Sequence, residues 1–133
     1  MAVVRSETLP VVSEPDVVIA RRRVREIASE TGLSLVDQTK LVTAASELAR
    51  NTLIHGGGGT MQLECLNGPR VGIRLIFSDH GPGIPDVNLA LRDGFTTGTG
   101  LGLGLGGSKR LVNEFEIESK AGHGTRVAIT RWK

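Results

Sequence analysis

Aromatic side chains are scarce: one Trp, three Phe and no Tyr in 133 residues. So few rings cannot supply a base-stacking platform, which argues against a nucleic-acid partner. The net charge of +2 is too small for an electrostatic footprint on nucleic acid. The basic run Arg21, Arg22, Arg23 and Arg25 is answered by Glu26 and Glu30 on the same predicted helix. Cysteine is nearly missing. Cys65 stands alone, which excludes an internal disulfide and a cysteine metal cluster and suits a reducing compartment. No apolar run approaches the ~18–20 residues of a membrane-spanning helix, and no signal-peptide pattern opens the chain. The expected location is the cytoplasm, with no membrane partner. His55, His80 and His123 fall in three separate segments without a short-range ligand pair, so a structural zinc site is not expected.

Glycine, by contrast, is abundant. Fourteen of the 18 glycines gather at 56–59, 81–83, 98–107 and 122–124, and clustering of this kind points to local backbone tasks rather than a disordered chain. With 39% hydrophobic and 23% charged residues, the composition is that of a soluble globular protein. The length suits one domain spanning 1–133 with a single core.

The order of elements follows from periodicity. Residues 1–13 read as a tail and a first strand carrying Leu9, Val11 and Val12, with Pro10 suiting a sheet edge. Ser13 or Asp16 caps a helix starting near Pro15, whose stripe of Val17, Ile19, Ala20, Val24, Ile27 and Ala28 ends at Gly32. Ser34 opens a second helix that buries Leu35, Leu41, Val42, Ala45, Leu48, Ala49 and Leu53 and stops at Gly56. Two alternating strands follow, around Met61–Cys65 and Val71–Phe77, joined at Asn67-Gly68-Pro69 as an antiparallel hairpin. The stretch 79–104 holds at most a short helix near Val87–Arg92. A third helix is predicted from Leu105 to Phe115, then strands at 116–120 and 124–132. Helices gathered on one face of a mixed, mostly antiparallel sheet make a two-layer α+β sandwich.

Three segments can carry chemistry. Glu47, Asn51 and His55 lie four apart and share one face of the second helix. An Asn carbonyl can ligate Mg²⁺, a Glu can take a proton from an attacking hydroxyl, and a His near a helix end can touch a phosphate. Taken alone, the three also suit a solvated helix face. Asp79-His80-Gly81-Pro82-Gly83-Ile84 follows directly on a strand. An Asp there can accept from an exocyclic amine such as adenine N6, while the glycines let the backbone approach a flat base; an ordinary turn is the plainer alternative. The run Gly98-Thr99-Gly100-Leu101-Gly102-Leu103-Gly104 precedes a helix, so its backbone N–H groups can reach phosphates. The Gly-Lys-Ser/Thr ending of a Walker A loop is missing. The run also follows a long loop late in the chain rather than a first strand, which excludes the dinucleotide fingerprint.

Each piece is weak alone, but their order is not. Glu47-x-x-x-Asn51-x-x-x-His55, Asp79-x-Gly81-x-Gly83-Ile84, the Gly-rich run at 98–104 and Gly122-x-Gly124-Thr125 together resemble the GHKL ATPase/kinase superfamily of gyrase, Hsp90, histidine kinases and MutL. The resemblance covers about 34–131 and implies the Bergerat ATP-binding fold. The segments Ser46–Asn51, Asp93–Thr97, Lys109–Phe115 and Ala128–Trp132 lie largely outside the ATP boxes and are similar to the RsbT-type switch kinases of bacterial partner-switching pathways. Such kinases phosphorylate STAS-domain proteins of the stressosome on serine or threonine and then activate a PP2C-type phosphatase.

By this resemblance the cofactors are ATP and Mg²⁺. Asn51 would bind Mg²⁺, Glu47 would be the general base, and Asp79 would take the adenine amine. Gly81, Gly83 and Ile84 would form the base-side loop, with Thr125 supporting the pocket. Gly98, Thr99, Gly100, Leu101, Gly102, Leu103 and Gly104 would line the phosphates, with His55 beside them. Two other functions stay open: an anti-sigma factor that sequesters a sigma subunit, and a detached histidine-kinase catalytic domain.

Overall fold

The computed structural model describes residues 2–84, 86–91 and 104–133. Two capped helices form the first layer. Helix α1 (Glu14–Thr31) starts where the Ser13 hydroxyl accepts from Asp16 N, and it ends at Gly32, whose φ of 90° no other residue type adopts cheaply. It buries Val17, Ala20, Val24, Ile27 and Ala28. Helix α2 (Leu35–Ile54) is capped by Ser34 and buries Leu41, Val42, Ala44, Ala45, Leu48 and Ala49, so apolar side chains recur on one face along its length.

The second layer is a five-stranded sheet. Its strands are β1 (Ala2–Val11), β2 (Gly59–Asn67), β3 (Gly72–Asp79), β4 (Glu114–Lys120) and β5 (Gly124–Trp132). They lie in the order β1-β2-β3-β5-β4. Every pairing among them is antiparallel. Pro10 sits in the edge strand β1, which has a partner strand on one side.

Met61, Leu63, Ile73, Leu75, Phe77, Val127 and Ile129 form one core with the helical stripes. A fully buried side chain of this size contributes roughly 1.5–3 kcal/mol. Exposed ion pairs such as Arg5–Glu30 contribute about 0–1 kcal/mol, so the core, not surface charge, sets the architecture.

The expected α+β sandwich is therefore present. Between the β2–β3 and β4–β5 hairpins the described residues form two short helices: α3 (Val87–Ala90), capped by Asp86, and α4 (Gly104–Arg110). The third helix is shorter than the expected Leu105–Phe115. Leu111 N donates to Ser108 O to close a turn, and Asn113 N donates to Thr130 O at 2.9 Å. Asn113 Oδ1 also accepts from Trp132 N at 2.8 Å. These bonds capture the chain as an edge strand, so Phe115 lies in β4 and packs inward as a strand residue.

Candidate nucleotide-binding site

A cavity of about 440 Å³ opens between α2, the end of β3 and the start of α4, within the size range of small-molecule sites. Its floor is apolar, with Leu48, Phe77, Leu105 and Val127. Glu47, Asn51, His55, Asp79, Gly83, Ile84, Gly104 and Thr125 also line it. Residues from four distant stretches of the sequence thus converge on one cavity. Gly81 is not in the wall, but its N–H holds Asp79. Gly98, Thr99, Gly100, Leu101, Gly102 and Leu103 lie outside the described residues.

Asp79 is the last residue of β3. Its Oδ1 accepts from Gly81 N at 2.9 Å and from Thr125 N at 3.3 Å. Its Oδ2 has no partner among the described residues and can accept from a ligand. The carboxylate is thus pre-oriented by backbone donors on two sides.

The glycines around it are required by close approach. A Cβ on Gly56 would collide with the Asp79 carboxylate, and one on Gly81 would come within 2.7 Å of Gly56 Cα. Gly124 has φ +92°, and a Cβ there would overlap the Asp79 carbonyl oxygen. The clusters at 56–59, 81–83 and 122–124 are therefore three backbones packed against each other around one aspartate.

A residue not anticipated from the sequence joins these segments. The Ser119 hydroxyl accepts from Ile84 N at 2.7 Å, donates to Gly124 O at 3.3 Å, and lies 2.8 Å from the Thr125 hydroxyl. Phe115, Ile117 and Ser119 alternate inward on β4. A serine on this apolar face, two residues before the turn, was the available signal.

At the other end, Glu47 is 7% exposed, a low value for a carboxylate. Its Oε1 accepts from Gly104 N at 3.3 Å, which ties α2 to the first residue of α4. Asn51 follows one turn later on the same face, and His55 is the C-cap, its N–H donating to Asn51 O at 2.9 Å. The apolar packing of Leu48, Ala49 and Ala45 fixes the helix, and with it the direction of both polar side chains.

The residues suit a nucleotide carrying a divalent cation. Asn51 and Glu47 offer oxygen donors, which magnesium prefers. Among the described residues no cluster of three or more His, Cys, Asp or Glu could form a protein cage for a metal. A cation at this wall would share its coordination with phosphates and water, as magnesium does in phosphoryl-transfer sites.

The sequence profile described as "Histidine kinase-, DNA gyrase B-, and HSP90-like ATPase" matches residues 36–133. The chain belongs to this family. It is also 43% identical over 123 residues to the serine/threonine-protein kinase RsbT of Bacillus subtilis (strain 168), with 92% of each chain covered. It is 30% identical over 124 residues to the anti-sigma F factor of Thermoanaerobacter sp. (strain X514), covering 85% of this chain and 82% of the relative. Among solved structures, the RsbU and RsbW domains of a Mycobacterium tuberculosis protein superpose with a TM-score of 0.62 at 21% identity. That match covers 97% of this chain and 33% of the other, and it shows the shared fold. Family membership and the likeness to RsbT together make the chain an ATP-dependent kinase.

Proposed function

We propose that this chain is a serine/threonine-protein kinase of a bacterial partner-switching (stressosome) pathway, acting in the cytoplasm as one catalytic domain. It phosphorylates a STAS-domain protein and then activates a PP2C-type phosphatase, which links it to sigma-factor regulation. Support comes from the 43% identity to RsbT over nearly the whole of both chains. Among the described residues no helix is long and apolar enough to cross a membrane.

The observation that carries the reading is the buried Glu47, on the cavity wall one turn before Asn51. Bound Mg-ATP would supply the transferable phosphoryl group, with the cation offsetting the phosphate charge. Asn51 contributes a carbonyl oxygen to the cation. Asp79 accepts from the adenine amine through Oδ2, while Leu48, Phe77 and Val127 exclude water from the base. Glu47 Oε1 is anchored by Gly104 N; Oε2 takes the proton of the attacking serine or threonine hydroxyl. A neutral hydroxyl needs such a base, whereas an imidazole acceptor does not. The glycine-rich run at 98–104, with His55, serves the phosphates.

The test is phosphotransfer from Mg-ATP to a purified STAS-domain protein, with the phosphosite identified. Acid-stable phosphoserine or phosphothreonine is expected. Acid-labile phosphohistidine on the acceptor would overturn the assignment. The second reading, an anti-sigma factor whose kinase activity serves release, is favoured by the 30% identity to an anti-sigma F factor. Stoichiometric capture of a sigma subunit, with no binding of a STAS protein or phosphatase, would select it.

A further inference from the structure

Three hydroxyl and amide contacts converge on Ser119, and one placement of its single hydroxyl hydrogen serves all of them. Ile84 N can only donate, so Ser119 Oγ accepts there at 2.7 Å. Gly124 O can only accept, so the single Ser119 proton points to it at 3.3 Å. The 2.8 Å contact between the Ser119 and Thr125 hydroxyls must then be satisfied by the Thr125 proton. This is the one assignment that serves all three contacts. Its consequence falls on the cavity: Thr125, its proton committed to Ser119, presents only lone pairs. Beside it, Asp79 presents Oδ2, also an acceptor, since Oδ1 is occupied by Gly81 N and Thr125 N.

We propose that Ser119 is a specificity-determining residue of the nucleotide pocket: by taking the Thr125 proton it makes this wall acceptor-only, so that the site takes 6-aminopurine nucleotides and rejects 6-oxopurine ones. A 6-amino group brings N–H donors to the two acceptors. A 6-oxo group brings a third acceptor, which leaves buried lone pairs facing each other without a proton between them, a mismatch that sites built on hydrogen bonds discriminate strongly. Ser119 sits in line with Phe115 and Ile117 on the inner face of β4, opposite Thr125 across the β4–β5 ladder. It acts through Thr125, by fixing which way that hydroxyl points. The inference rests on the nucleotide reading of the cavity.

The measurement is the ratio of ATP to inosine triphosphate affinity, by titration of the intact chain in the presence of Mg²⁺. Wild type is expected to prefer ATP by about 100-fold or more. In Ser119→Ala the Thr125 hydroxyl is released and can rotate to donate to a 6-oxo group, so the ratio should fall about tenfold. Ser119→Thr, which keeps the hydroxyl, should restore it. Thr125→Val should also lower the ratio, and adding Ser119→Ala to Thr125→Val should lower it no further, because the serine has lost the group it orients. A purely structural serine would weaken both nucleotides equally and leave the ratio unchanged in every variant, which would overturn the proposal. If the alanine variant does not fold, Ser119→Cys keeps the volume without the strong acceptor and is read in the same way. Failure of wild type to bind ATP at all would overturn the nucleotide reading itself.

Discussion

The two ends of the cavity are held by different means. At the Asp79 end, the aspartate accepts from Gly81 N and Thr125 N, while Ser119 accepts from Ile84 N, donates to Gly124 O and meets the Thr125 hydroxyl. Glycine backbones pack too tightly there to admit a side chain. At the Glu47 end, the polar groups project from one packed helix, and Gly104 N is the hydrogen-bond donor to Glu47. The first end derives its precision from many interlocking bonds. The second borrows it from the apolar packing of α2. A substitution at the Glu47 end should therefore change chemistry and spare the fold, whereas one at the Asp79 end should change binding, and in places stability too.

The largest effect tests the first half of that contrast. Glu47→Gln keeps shape and should lower phosphotransfer by about 10²–10⁴-fold, with ATP affinity unchanged within about threefold. Single-turnover transfer and an ATP titration on the same sample separate the two. A matching loss of affinity would make Glu47 a binding residue.

Asp79→Asn should weaken ATP by about 10–100-fold, the worth of a charge-assisted bond, while the far-ultraviolet spectrum stays that of wild type. Undiminished affinity would remove Asp79 from the base-binding role.

Gly124→Ala should cost on the order of 1–3 kcal/mol from the left-handed backbone alone, with more from overlap with the Asp79 carbonyl. Chemical denaturation measures it. A neutral result would mean that the Asp79 end is looser than its hydrogen bonds imply.

The smallest effect lies away from both ends. Asp37, at the start of α2, accepts from Arg131 at 2.6 Å, and Arg131 also donates to Leu111 O. The Arg131 guanidinium holds the Asp37 carboxyl below its ordinary range. A carboxylate with a depressed folded-state pKa contributes stability that is present above its unfolded pKa and lost as the pH falls through the folded value. Stability should thus decline below about pH 4, where free aspartate begins to protonate. Asp37→Asn should flatten that limb and leave the cavity's affinities unchanged. Both groups are partly exposed, so solvent screening keeps the effect small.

Much of this arrangement could be read along the chain. The Ser13 and Ser34 caps, most of the helical stripes and the antiparallel hairpin lie where local pattern places them, but Ile19 and Leu35, expected on the buried stripes, face solvent. Glu47, Asn51, His55, Asp79 and Thr125 do meet at one cavity. The sequence predicts a longer third helix because Leu111, Val112 and Phe115 have helical spacing and no breaker stands among them. What ends the helix is Thr130 O and Trp132 N, more than fifteen residues later. The role of Ser119 is hidden along the chain for a related reason. Its meaning comes from the register that sets it opposite Thr125, and no window on β4 alone contains that partner.

Local chemistry, then, was enough to say where helices begin, which strand faces are apolar and where the backbone must be glycine, because caps, alternation and left-handed φ are properties of a few adjacent residues. The acceptor-only wall of Asp79 and Thr125, the burial of Glu47 and the length of α4 were decided by packing β3 against β5 and laying α2 across them. Those features depend on hydrogen bonds and excluded water between segments far apart in the chain, and such contacts exist once the core has closed.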